Sequence, residues 1–431
     1  MSGTGPLAKI LRYGIAAIGP IGSAGAQFLL SLILLRSLDK HAFGSFSFLL
    51  VATQLSWGLW SAMFCAPLPI LFHAHEGPER ERLMQSLFSS NLLVALAAAV
   101  LFGVMAFALG VPKGAAIIFG LYGCVALLRW FARAYAYASG RPLRTMISDN
   151  VYAVTLLLGL IPILLFPDRA LGIAYATLLA GAVLGMIPFG AGYLRDQFTR
   201  FSARAARGYG PVFRQHSGWS LVGVVTTEAT ANSHAYIVTA LFGPGAFAPI
   251  AASALLIRPI SVAMNALTEF ERANMARALG RGSVDEARES VRHFRWAMMA
   301  AWTVTALAAA ILLQVAPHAI FPRSYPLSFV ATGAALWMLV AGVRLMRMPE
   351  STLLQAAGQF RPLAMASVYS SGFSVVAVLA LLLLAGTLWS IVGILVGEAI
   401  YALWIWRQCR LWLKANGAGI APAPLEGVVT Q

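Results

Sequence analysis

The stretch Ser217–Met275, SGWSLVGVVTTEATANSHAYIVTALFGPGAFAPIAASALLIRPISVAMNALTEFERANM, is apolar enough to cross a bilayer twice, turning at Phe242-Gly243-Pro244-Gly245. Glu228 stands about halfway along the first crossing and Arg258 about halfway along the second. A charge at that depth is costly unless it is paired or wetted, and it marks a functional site by default. A chain that keeps a carboxylate and a guanidinium at one depth on neighbouring helices implies a polar interior to hold them.

Composition extends this reading to the whole chain. Of 431 residues, 59% are hydrophobic and 11% charged, with a mean hydropathy of +0.76. A soluble domain carries about 25% charged residues, so too little polar surface exists here to coat a water-soluble body. Apolar runs of about 20 residues recur from end to end, which predicts an all-α polytopic membrane protein. The net charge of +15 lies in short loops between apolar runs, the pattern of the positive-inside rule rather than of nucleic-acid binding. Cys65, Cys124 and Cys409 are far apart and offer neither a metal spacing nor a disulfide framework.

Twelve spans are expected, over roughly 14–35, 43–72, 87–109, 115–136, 147–166, 170–193, 217–241, 246–271, 296–316, 327–348, 363–385 and 388–406. Turn sequences such as Gly110-Val111-Pro112, Phe166-Pro167-Asp168 and Ala385-Gly386-Thr387 separate them. With the N- and C-termini cytoplasmic, the inward segments hold 25 Lys and Arg and the outward loops hold five: Arg36, Lys40, Lys113, Arg169 and Arg323. That asymmetry supports both the count and the orientation. The expected organisation is a first six-helix bundle over 1–193, a basic cytoplasmic linker over 194–216, a second six-helix bundle over 217–406 and a cytoplasmic tail over 407–431. The linker, with Arg195, Arg200, Arg204, Arg207 and Arg214, suits anionic headgroups. The other long inward loop, 272–295, alternates signs at spacings of three and four, as an exposed helix with ion pairs does.

The halves echo one another. Gly44-Ser45-Phe46 opens span two, and Gly245-Ala246-Phe247 opens span eight 201 residues later. Gly140-Arg141-Pro142-Leu143 separates spans four and five; Gly358, then Arg361-Pro362-Leu363, separates spans ten and eleven. Parallel repeats of this kind serve alternating access in known transporters.

Span seven is unusually polar. Thr227, Thr230 and His234 share one stripe, and Glu228 and Asn232 adjoin it. Lipid would not tolerate that sector, so it either walls a cavity or hydrogen-bonds to other helices. Arg258 precedes Pro259, which favours a kink; its forked guanidinium suits a phosphate, or equally a structural pair with Glu228. Glu398, in span twelve, is a candidate coupling or cavity charge. Arg129, Arg133, Arg344 and Arg347 stand near the inner ends of spans four and ten, as a basic cytoplasmic mouth or as topology-setting arginines. Ser148 or Asp149 reads as the cap of span five. His73-Ala74-His75-Glu76 reads as an interfacial loop without a further ligand set. No nucleotide-binding loop, nucleophile elbow or metalloprotease motif is present, so nothing points to an enzyme.

The opening Leu34-Leu35-Arg36-Ser37-Leu38 … Ala42-Phe43-Gly44-Ser45-Phe46, with its counterpart Ala240–Phe247, resembles the polysaccharide transporters of the MOP flippase superfamily, the Wzx-like O-antigen and exopolysaccharide flippases. The resemblance implies a MATE-like pair of six-helix bundles in a bacterial inner membrane. It implies translocation of a polyprenyl-diphosphate-linked oligosaccharide by alternating access, with membrane lipids and the pathway's polymerase and export machinery as partners. No cofactor is implied beyond a coupling H⁺ or Na⁺. Arg258 would meet the diphosphate; Glu228, His234, Asn232, Thr227 and Thr230 would meet sugar. The competing readings are a MATE-type Na⁺- or H⁺-coupled multidrug extruder, a lipid II flippase of the same superfamily and, from another class, a membrane glycan polymerase or ligase. The extruder lacks an acid in span one, and the outward loops are too short for the polymerase.

Overall fold

The structure, a computed structural model, describes residues 6–68 and 77–416. His73-Ala74-His75-Glu76 and the end of the tail lie outside them. Among the described residues there is helix and turn but no strand. The first half comprises α1 (Pro6–Ser37), α2 (Lys40–Trp60), α3 (Gly77–Ala108), α4 (Lys113–Ala138), α5 (Pro142–Leu165) and α6 (Ala170–Leu184), the last flanked by 3-10 turns. The linker holds α7 (Ala191–Phe198) and α8 (Ala203–Arg207). The second half comprises α9 (Gly218–Phe242), α10 (Pro244–Ala254), α11 (Arg258–Gly280), α12 (Val284–Val315), α13 (Leu327–Ala356), α14 (Phe360–Ala385) and α15 (Ser390–Asn416).

Among the described residues, ten helical runs are long and apolar enough to cross a membrane. Helices α1 and α9, with 32 and 25 residues, also exceed the length a bilayer needs. Together these make the twelve crossings read from the sequence. Large apolar side chains stand outward on many of them: Leu384 is 86% exposed, Val315 78%, Val100 68% and Leu165 67%. Such surface belongs against lipid, and the chain is a multi-pass membrane protein.

One expectation holds and one changes. The segment 272–295 is mostly helix: α11 runs on to Gly280, Gly282 turns at φ +76°, and α12 begins at Val284 behind the Ser283 cap. Its ion pairs are present and exposed, Arg281 with Glu286 and Arg292 with Glu289 at 3.3 Å. Near Arg258 the helix is interrupted rather than kinked. Leu255–Ile257 form a 3-10 turn, and Pro259 occupies the first turn of α11, where its missing N–H costs nothing.

The glycines of the two matched motifs end their helices in the same way, as Gly110 and Gly282 also do. Gly140 and Gly358 both end a helix at φ +71°, a conformation that costs other residues a Cβ clash. After each, a backbone N–H reaches five residues back: Arg141 to the Ala136 carbonyl at 2.7 Å, and Gln359 to that of Leu354 at 2.8 Å.

The chain divides into two compact units. The first holds the residues up to Glu228 with Ala235–Leu255 and Pro317–Val330. Within it α1 lies on α5, α3 on α4, and α2 on α10. The α2–α10 approach has room for no side chain: a Cβ on Gly44 would stand 1.8 Å from the Pro244 carbonyl oxygen. Helix α2 ends in a π turn, Ser61–Cys65. The Met63 carbonyl there accepts hydrogen bonds from the Tyr209 hydroxyl and, at 3.1 Å, from Ser217 Oγ. A buried polar chain runs from Trp60 Nε1 to Asn91 Oδ1 at 2.8 Å, and from Asn91 Nδ2 to Gln197 Oε1 at 3.2 Å.

The second unit holds Ala229–His234, Leu256–Ala316 and the residues from Ala331 onward. Its tightest pairing is α14 on α15, where a Cβ on Gly393 would lie 2.4 Å from the Val378 backbone nitrogen. Helix α12 is tied to α13 by Trp302 Nε1, which donates to the Met338 carbonyl at 2.9 Å.

Candidate functional site

In each unit two arginines of one helix close on a buried carboxylate of another. In the first unit, Arg129 and Arg133 lie one turn apart on α4, and both reach Asp149 on α5. Arg129 Nη2 meets Oδ1 at 2.5 Å and Arg133 Nη2 meets Oδ2 at 3.0 Å. Arg129 Nε donates to Ser148 Oγ at 2.9 Å, and Ser148 donates onward to the Gly185 carbonyl at 2.6 Å. The Arg129 guanidinium covers the Tyr152 ring at 4.5 Å, and Arg133 covers Trp130 at 4.7 Å. Gln27 Nε2 on α1 donates to the Tyr152 hydroxyl at 3.0 Å.

The cap reading of Ser148 and Asp149 is therefore corrected. Both lie inside α5, which begins at Pro142, and both are buried. A buried carboxylate with no partner on its own helix needs one from another, and α4 supplies two.

In the second unit Arg344 and Arg347, on α13, hold Glu398 of α15. Arg344 offers Nε at 2.9 Å and Nη2 at 2.7 Å to Oε1; Arg347 offers Nε at 2.9 Å and Nη2 at 2.8 Å to Oε2. Each guanidinium thus gives two N–H groups to one oxygen of the carboxylate, and such charge-assisted bonds are roughly twice as strong as neutral ones. Arg347 also covers the Tyr401 ring at 4.0 Å. Glu398 and Arg347 are buried, whereas the Arg344 side chain is 26% exposed.

The polar face of α9 divides. Thr230 and His234 are buried. The Thr230 hydroxyl lies 3.1 Å from Ser370 Oγ on α14, and Ser374 Oγ donates to the Thr230 carbonyl at 3.1 Å. His234 sets its ring edge-on to Trp337 at 5.1 Å. Here helix–helix bonding accounts for the polarity. Thr227 is exposed, and Asn232 and Glu228 are half-buried. Glu228 Oε1 accepts from the Tyr236 hydroxyl at 3.1 Å. Glu228 belongs to the first unit and Arg258 to the second. Arg258 is half-buried at the start of α11, and among the described residues of its unit no carboxylate lies at ion-pair distance.

Two members of the clamps escaped the sequence reading, Tyr152 and Tyr401. The signal was available. Each follows its carboxylate by three residues, as Asp149-Asn150-Val151-Tyr152 and Glu398-Ala399-Ile400-Tyr401, so acid and ring share a helix face.

No protein-family model matches the sequence, and no curated protein sequence does. The fold does have relatives among solved structures. An inward-facing multidrug resistance MATE family transporter of the MOP superfamily matches with a TM-score of 0.67 and 13% identity, over 95% of this chain and 100% of that one. The lipid II flippase MurJ, in an inward closed conformation, matches with a TM-score of 0.70 and 11% identity, over 93% and 87%. A Vibrio cholerae MATE transporter, VcmN, gives 0.54 and 15%, over 94% and 96%. The chain therefore has the MATE- and MurJ-like fold along nearly its whole length.

Proposed function

We propose that the chain is a flippase of the bacterial inner membrane that moves a polyprenyl-diphosphate-linked oligosaccharide between leaflets by alternating access. One observation carries the reading. Among the described residues, the two buried carboxylates, Asp149 and Glu398, are each bound by two arginines. Each clamp keeps a net positive charge inside a membrane-spanning unit, and neither acid is open to a coupling cation. That electrostatic balance suits an anionic cargo and opposes a cationic one. Arg258 would supply a further guanidinium for the diphosphate, and the polar groups of Thr227, Glu228 and Asn232 on α9 would meet sugar hydroxyls. The likeness to a lipid II flippase supports a lipid-linked cargo.

The likeness to multidrug carriers supports a second reading, in which Glu228 serves as the coupling carboxylate of a drug extruder. Reconstituted proteoliposomes separate the two. A polyprenyl-diphosphate-linked oligosaccharide is placed in one leaflet and its sugar is scored with an impermeant oxidant. Protein-dependent exposure of the sugar, lost in Arg258→Ala at normal protein abundance, is expected. Cation-gradient-driven drug uptake without sugar exposure would overturn the flippase reading.

A further inference from the structure

We infer that the segment from Ala191 to Arg207, which joins the two halves, is an in-plane binding platform for anionic phospholipid headgroups of the cytoplasmic leaflet. The inference rests on the membrane-spanning fold and not on the identity of the cargo.

The segment has two sides. On its inner side Tyr193, Gln197 and the following Tyr209 are buried. Gln197 is pinned by Asn91 and donates from Nε2 to the Phe88 carbonyl at 3.2 Å. The Ser202 N–H donates to Ser89 Oγ at 3.1 Å, Gln85 Nε2 donates to the Arg200 carbonyl at 3.2 Å, and Ser90 Oγ donates to the Ala206 carbonyl at 3.0 Å. Side chains of α3 thus hold the strip at several points along its length. It is not a slack tether.

On its outer side Arg195, Arg200, Arg204 and Arg207 are exposed, and so are Phe198 and Phe201, at 46% and 44%. Asp196, paired with Arg200 at 3.1 Å, is the one acid among these residues. Exposed phenylalanines set between exposed arginines are unfavourable against water alone, but they suit the boundary between headgroups and acyl chains. The end of the preceding span is also apolar and exposed, with Val183 at 46%, Leu184 at 42% and Ile187 at 61%. Charge selects the lipid: with Arg200 balanced by Asp196, the guanidiniums of Arg195, Arg204 and Arg207 attract phosphate headgroups that lack a compensating amine.

Thermal unfolding of the purified full-length chain in neutral detergent tests this, with phosphatidylglycerol or phosphatidylcholine added at equal mole fraction. Phosphatidylglycerol should raise Tm by several degrees more than phosphatidylcholine does, and the difference should shrink with added salt. The combined variant Arg195→Gln/Arg204→Gln/Arg207→Gln should keep the Tm measured in phosphatidylcholine and lose the phosphatidylglycerol increment. Phe198→Ser/Phe201→Ser should reduce that increment. Equal stabilisation by the two lipids would overturn the inference, and so would an increment that survives the triple substitution. A platform for a cytosolic protein would give the first of those results. Transport of the cargo is not part of the readout, so failure here leaves the flippase reading standing.

Discussion

Arg347 covers the ring of Tyr401 at 4.0 Å, and Tyr401 stands one helical turn beyond Glu398, the carboxylate that the same guanidinium binds. Arg129, Tyr152 and Asp149 repeat the relationship in the other unit. In both places the ring covers the guanidinium that binds the acid one helical turn before it. A cation over an aromatic face in such a setting recovers some of the hydration it has lost. The carboxylate fixes position, and the second arginine leaves the cluster positive.

Glu398→Gln should be severely destabilising. It leaves Arg344 and Arg347 side by side without a counter-charge, and removing one partner of a buried ion pair costs about 3–5 kcal/mol. The expected outcome is a large loss of folded protein on size-exclusion chromatography in detergent. Glu398→Gln combined with Arg347→Gln should recover part of it. A single variant as stable as the parent would show that the clamp is not structural.

Gly393→Ala and Gly44→Ala should both damage folding, because each added Cβ meets a backbone atom that cannot rotate away. Gly372→Ala and Gly223→Ala meet nothing within 4 Å and should leave yield and Tm unchanged. Equal behaviour of the two groups would show that α2–α10 and α14–α15 do not approach as closely as described.

Asn91→Leu should cost about 1–3 kcal/mol, since it leaves the Trp60 N–H buried without its acceptor and takes from Gln197 Oε1 one of its two donors, the other being the Tyr193 hydroxyl at 3.4 Å. Trp60→Phe in the same background should cost less than it does alone, because its partner is already gone. Additive losses in that double-mutant cycle would remove the coupling.

Tyr209 gives the protein an alkaline limit. Burial pushes its phenol up to about 12, against an ordinary value near 10. The folded state therefore holds the proton longer than the unfolded chain does. The associated stability is complete below about pH 10 and is lost as pH rises toward 12. Tm measured from pH 8 to 12 should fall across that window, and Tyr209→Phe should flatten the fall while lowering Tm at neutral pH, where its bond to the Met63 carbonyl is missing. An unchanged slope in the variant would assign the fall to other groups.

The spans were legible because membrane-crossing helices announce themselves by length and apolarity, and the turns because Gly140 and Gly358 sit where only glycine is comfortable. Asp149 was not legible. A carboxylate seven residues after Pro142 looks like an early-helix charge until α4 is seen beside it, and the sequence does not say which face of α5 meets α4. Thr230 failed for the same reason. Its stripe was correctly polar, but Ser370 and Ser374, which meet it, come from a helix more than a hundred residues away.

The Gly44–Pro244 approach has a consequence for how the two hairpin openings can vary. Gly44 and Gly245 are equivalents in the repeat, yet only the first is spatially obligatory: a Cβ on Gly44 would meet the Pro244 carbonyl, whereas one on Gly245 would come no nearer than 4.0 Å to the His41 Cα. Substitution is therefore open at Gly245 and closed at Gly44, so the same position of the repeat is free to drift in one half and held in the other.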